Sequence, residues 1–168
     1  MDAMGYFSSA STIFHSTAMS LRYARENVIE STAEPFRGPV RNVAVLGATG
    51  SIGQNALDVI AASGGRLVPV LLTAHRQTAS LAAAARRFHP QTVVVTDETA
   101  DRTPLTGIPR GTEILFGEAA LEEAVRRREI DIVLSAIVGS AGLRGTWNAL
   151  EAGKTVALAN KESLFIDG

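Results

Sequence analysis

The chain of 168 residues contains no cysteine, which excludes disulfides, thiolate metal sites and a cysteine nucleophile. Its three histidines, His15, His75 and His89, lie far apart, and no two share a metal-ligand spacing. No apolar run approaches the ~18 residues that a membrane-spanning helix needs. There is no lysine-rich tract and the net charge is −1, so neither nucleic acid nor a membrane is expected as a partner. What is present is ordinary for a globular protein: 46% hydrophobic and 20% charged residues. That length and composition suit one domain with a real core.

Residues 1–40 differ from the rest. Met1 to Ser20 is rich in Ser and Thr and has a single acid, Asp2; Arg22, Arg25, Glu26, Glu30 and Glu34 come next, then Pro35, Gly38 and Pro39. This stretch is predicted to be a disordered extension, with Met19 as an alternative start. Ser-rich, acid-poor composition also fits an organelle transit peptide, which would place the protein in a plastid rather than the cytoplasm.

The segment Val43 to Gly53, VAVLGATGSIG, organises the rest of the chain. Val43 to Leu46 reads as a buried parallel strand. Gly47, Gly50 and Gly53 come next at a spacing of three, and then a helical pattern with Ile52, Ala56, Leu57, Val59 and Ile60 on its apolar side. Strand, glycine turn and helix form the context in which a glycine motif carries meaning. Glycine lets the backbone turn tightly and approach a pyrophosphate, and the N–H groups opening the helix attract its charge. Thr49 and Ser51 add hydroxyl donors. The wider GxxGxxG spacing is shared by several reductase families that use NADPH.

From Arg41 onward strand-like and helix-like patterns alternate. Strands are predicted at Leu67–Leu72, Thr92–Thr96, Glu113–Phe116, Ile130–Val138 and Thr155–Leu158, with Pro69 a discordant residue in the first of these. Helices are predicted from the turn to Ala62, over Thr78–Phe88 with Pro90 closing it, over Glu118–Arg128 and over Leu143–Ala152. The connector Asp97–Gly111 has room for one helical turn. Such alternation implies an α/β, doubly wound parallel sheet, a Rossmann-like NAD(P)-binding domain over residues 41–168.

In NAD-binding domains an Asp or Glu at the end of the second strand holds the ribose 2′-hydroxyl. Here that place reads Thr73-Ala74-His75-Arg76, without a carboxylate. Arg76 offers a planar cation able to grip a 2′-phosphate with two hydrogen bonds. His75 can stack on the adenine or add a donor. Both features favour NADPH.

Near the C-terminus the chain reads Ala157-Leu158-Ala159-Asn160-Lys161-Glu162-Ser163-Leu164. Together with GATGSIG and the run Ser135 to Leu143 (SAIVGSAGL), this resembles the 1-deoxy-D-xylulose 5-phosphate reductoisomerase family, over roughly Asn42 to Gly168. The resemblance implies that Thr49, Gly50, Ser51 and Ile52 match the family's pyrophosphate-binding turn. Ala74, His75 and Arg76 align with a segment that commonly reads Gly-Lys-Asn and holds the adenosine phosphate, so here the permanent cation stands one place on. Asn160 and Glu162 match residues on the nicotinamide side, and Lys161 matches a lysine that contacts the sugar-phosphate substrate. Read without the family, Lys161 is a cation at the C-terminal end of a strand, where open parallel sheets place ligands, and Glu162–Ser163 is equally helix-start chemistry.

The reaction implied by the resemblance rearranges 1-deoxy-D-xylulose 5-phosphate and reduces it with NADPH to 2-C-methyl-D-erythritol 4-phosphate, in non-mevalonate isoprenoid synthesis. It uses Mg²⁺, Mn²⁺ or Co²⁺ on acidic oxygen ligands. In the family those ligands, a helical C-terminal domain and most contacts of the homodimer come after the ANKES segment. Asp97, Glu98, Asp101 and the Glu122–Glu123 pair, in a connector or on a solvated helix face, make no metal cluster. The expectation is therefore a cofactor-binding domain with no catalytic or metal residue of its own, inactive alone. Two other readings stand beside it: a different NADPH reductase with this turn, such as an aspartate-semialdehyde-type dehydrogenase, which needs a catalytic cysteine; or a stand-alone dinucleotide-binding regulatory module.

Overall fold

The computed structural model describes residues 38–137 and 142–159. Six strands, β1 (Arg41–Leu46), β2 (Leu67–Ala74), β3 (Thr92–Val95), β4 (Glu113–Phe116), β5 (Ile132–Ser135) and β6 (Thr155–Leu158), form one sheet in the order β4-β3-β2-β1-β5-β6. Every pairing is parallel. Among the described residues four helices connect them, α1 (Ser51–Ala62), α2 (Thr78–Phe88), α3 (Glu118–Ala124) and α4 (Leu143–Glu151), with a 3₁₀ turn at Thr103–Gly107 in the predicted connector.

Both sheet faces are covered, which is why β1 is continuously apolar from Val43 to Leu46 rather than alternating. Val43 and Val45 point into a core built with Leu57 and Ile60 of α1 and Leu81, Ala82 and Ala85 of α2. Ala44 and Leu46, facing the other way, pack with Leu121 and Ala124 of α3 and Ala149 of α4. The sheet is doubly wound, in agreement with the alternation in the sequence.

Pro69 is accommodated by two local features. The β1–β2 register runs Val43 to Pro69 and then Ala44 to Leu71, skipping Val70, so β2 bulges beside the proline. Val70 and Leu71 consequently share one core although adjacent. The ladder to β3 begins only at Leu71, leaving Pro69 paired on one side.

Several element ends depart from expectation. Strand β2 runs two residues further, to Ala74, and that extension carries the chain to the functional edge. Helix α2, by contrast, ends at Phe88 as expected: His89, with a left-handed φ of +50°, caps it one residue before Pro90, where helical geometry is sterically disfavoured. Helix α3 ends at Ala124, well short of Arg128. The N–H groups of Arg126 and Arg127 reach back three residues, to Glu123 and Ala124, tightening the last turn, while the Arg127 side chain is drawn sideways to Glu113 at 2.7 Å. Val59, expected on the buried side of α1, is 65% exposed. Strand β5 is shorter than predicted, and Val138 lies outside the described residues.

Candidate functional site

The chain builds β1 to β4 outward on one side of β1, then returns to place β5 and β6 on the other. Helices leave β1 and its neighbours at the C-terminal ends of the strands, so a crevice opens there at the point where the order reverses. This is where open α/β sheets bind ligands. The ends of β1, β2, β3 and β5 bring Gly47–Gly53, Ala74–Arg76, Thr96–Asp97 and Ala136–Ile137 to that edge.

The glycine turn is fixed from below by β2. The Gly47 N–H donates to the Thr73 hydroxyl at 3.0 Å and the Ala48 N–H to the Thr73 carbonyl at 2.8 Å. Thr73 is buried, and nothing in the sequence marks it, since there it is simply one hydroxyl in an apolar strand. The three glycines answer to different demands. Gly47 adopts φ +76°, and a Cβ there would lie 3.2 Å from the Ala136 carbonyl oxygen. At Gly53 a Cβ would overlap the Gly47 carbonyl oxygen and come within 2.7 Å of the Ala48 Cα. These two are required by the protein itself.

Gly50 is different. Its φ is −75°, ordinary for any residue, and a Cβ would meet nothing nearer than 3.6 Å. The space beside it is open and the residue is exposed. Gly50 caps α1 with no side-chain hydrogen bond, and the first intrahelical bond is that of the Gln54 N–H to the Gly50 oxygen at 2.9 Å. The N–H groups of Ser51, Ile52 and Gly53 thus open the helix without an intrahelical acceptor, and the helix dipole adds positive potential at the same point. Gly50 and Ser51 are exposed, while Thr49 and Ile52 are half-buried. A pyrophosphate fits this donor set, and a bare Cα at Gly50 lets it come close.

At the end of β2, Ala74 is buried whereas His75 and Arg76 project, with 71% and 65% of their side chains exposed. The fold then supplies what the local sequence lacks. Asp97, from the end of β3, sets its Oδ2 2.7 Å from Arg76 Nε and 4.0 Å from His75 Nε2. His75 Nδ1 lies 3.0 Å from the Thr96 hydroxyl. Hydrogen bonds from the Thr99 hydroxyl and N–H, at 2.6 and 2.8 Å, together with the nearby Arg76 charge, hold the Asp97 carboxyl below its ordinary range. It is therefore a carboxylate at neutral pH. In the sequence Asp97 is one acid in a turn-rich connector; no local signal joins it to Arg76, twenty-one positions away.

On the far side of the turn, Gly142 closes over Ile137, whose Cβ would be 2.8 Å from any Cβ added at that glycine. The Thr146 hydroxyl lies 2.8 Å from the Gly142 carbonyl and 3.0 Å from the Ser135 hydroxyl, tying α4 to the end of β5. Asn160, Lys161 and Glu162 lie outside the described residues, as do 138–141. Among the described residues no three His, Asp or Glu side chains converge to hold a metal ion, so no described donor set fits the family's divalent cation.

A doubly wound parallel sheet with this turn at its reversal point defines the chain as a Rossmann-like dinucleotide-binding fold. The family model for 1-deoxy-D-xylulose 5-phosphate reductoisomerase matches residues 43–168. Among curated relatives, the reductoisomerase of Laribacter hongkongensis is 48% identical over 132 residues, 77% of this chain and 34% of that protein. That of Anaeromyxobacter sp. strain K is 46% identical over 129 residues, covering 77% and 33%. Among solved structures, the Zymomonas mobilis reductoisomerase in complex with NADPH superposes with a TM-score of 0.68 at 42% identity, covering 74% of this chain and 33% of that one. A reductoisomerase in complex with NADPH, fosmidomycin and magnesium gives 0.67 at 37% identity, covering 74% and 31%. The chain belongs to the 1-deoxy-D-xylulose 5-phosphate reductoisomerase family. It spans about a third of the length of the curated relatives it matches.

Proposed function

We propose that this chain binds NADPH at the crevice above β1, as the cofactor-binding portion of an enzyme that converts 1-deoxy-D-xylulose 5-phosphate to 2-C-methyl-D-erythritol 4-phosphate. The observation that carries the reading is Gly50, a glycine with ordinary φ and no protein atom within 3.6 Å of its missing Cβ, at the mouth of an uncapped helix. No intramolecular demand accounts for it; the close approach of a pyrophosphate does. In this reading Gly47, Thr49, Gly50, Ser51, Ile52 and Gly53 hold the pyrophosphate, and Ala74, His75 and Arg76 hold the adenosine 2′-phosphate. Asn160 and Glu162 serve the nicotinamide side, and Lys161 the sugar phosphate. The NADPH complex of the Zymomonas relative supports the choice of cofactor.

Bound NADPH would supply the hydride for the reductive half of the reaction. In this reading metal chelation and rearrangement fall to other residues of the enzyme, and the described residues bind and orient the cofactor. A fluorescence titration of the purified chain with NADPH and with NADH tests the reading. Tighter binding of NADPH is expected; a folded chain that binds neither refutes it.

A further inference from the structure

We infer that Asp97 is a positioning residue that aims Arg76 at the cofactor's 2′-phosphate and so sets the preference between the two dinucleotides; this rests on the cofactor reading above. An exposed arginine on a loop samples many rotamers, and holding it in one is what gives a bidentate grip its selectivity. Here both partners are located by backbone. The Thr96 N–H donates to the Ala74 carbonyl at 3.0 Å and the Asp97 N–H to the His75 carbonyl at 3.1 Å, continuing the β2–β3 ladder past its last paired residues. The Thr78 N–H donates to the Arg76 carbonyl at 2.9 Å, fixing the other side of the loop.

The carboxylate is divided between two tasks. Its Oδ1 accepts both donors of Thr99, and its Oδ2 forms an ion pair with Arg76, 2.7 Å from Nε. Engaging Nε leaves the two terminal nitrogens of the guanidinium side by side, a fork that matches two oxygens of a phosphate. Asp97 is only 15% exposed against 65% for Arg76, so an arriving ligand meets the cation, with the anion behind it. Asp97 thereby differs from the acid of an NAD-specific domain, which stands at the end of the second strand and accepts from the ribose hydroxyl. It comes from β3, and its oxygens are turned to Thr99 and Arg76.

The test is a double-mutant cycle on the full chain, read as the NADPH and NADH dissociation constants. Asp97→Ala should weaken NADPH about tenfold and leave NADH within about twofold, with Asp97→Asn recovering part of the loss. In an Arg76→Ala background, Asp97→Ala should cost NADPH nothing further. Equal losses for both cofactors, or the same loss with and without Arg76, would mean that Asp97 only braces the loop and would overturn the inference. Thr99→Val, which leaves both charges in place, should shift the NADPH constant in the same direction and by less; no shift there counts against it. A wild-type chain indifferent to the 2′-phosphate would instead refute the cofactor reading on which the inference stands, whatever the variants do.

Discussion

The two halves of the crevice are built on opposite principles. The glycine turn is made of backbone, locked by buried Thr73 and by contacts so close that Gly53 admits no side chain. The corner formed by His75, Arg76 and Asp97 is made of side chains, two of them mostly exposed. A phosphate common to every dinucleotide can be met by fixed N–H groups, which need no adjustment. Discrimination between dinucleotides needs a charge that can be placed, removed or turned by a few substitutions. The difference predicts that the turn fails by losing the fold, and the corner by losing selectivity alone.

The largest effect should come from breaking the turn. Gly53→Val forces side-chain atoms into the Gly47 carbonyl and the Ala48 backbone, and should cost about 3 kcal/mol of stability in urea denaturation, with cofactor binding lost. Arg76→Ala, by contrast, should weaken NADPH about 10- to 100-fold, the loss of a charge-assisted pair of hydrogen bonds. Its denaturation midpoint should match that of wild type, since most of the side chain is in water. An intermediate case is Thr73→Val, which keeps the shape of β2 but leaves the Gly47 N–H without its acceptor. It should lower stability by about 1–2 kcal/mol and weaken both dinucleotides equally.

The smallest effect should lie at the other end of the sheet, where Glu113 at the start of β4 meets Arg127 at 2.7 Å. The hydrogen bond from Arg127 holds the Glu113 carboxyl below its ordinary value of 4.5. A carboxyl lowered on folding contributes stability that is present above the unfolded value and lost as pH falls through the folded one. Glu113→Gln should therefore flatten the stability profile below about pH 4.5 and leave the NADPH titration at neutral pH unchanged. A change in cofactor binding would break the separation of the two ends.

The sequence discloses these two halves unequally for the same physical reason. The turn is local: a strand, three glycines and a helix lie within Val43–Ala62, and the demands on Gly47 and Gly53 are expressed within that span or against a strand neighbour. Strand and helix types are legible throughout because both sheet faces are covered and the apolar runs are continuous. Pro69 looks discordant only because the bulge at Val70 depends on pairing with β1. The shortening of α3 and the partnership of Asp97 with Arg76 likewise depend on side chains that meet across the sheet. In Asp97 the connector holds a residue of the site that no spacing rule could connect to it.

The most direct test of the account is Gly50→Ala. A Cβ at that position touches no protein atom closer than 3.6 Å and the φ of −75° is acceptable to alanine, so the variant should be as stable as wild type within about 1 kcal/mol. If the space belongs to a pyrophosphate, titration with NADPH should nonetheless show binding reduced at least about tenfold. A stable Gly50→Ala chain that binds NADPH as tightly as wild type would contradict the account.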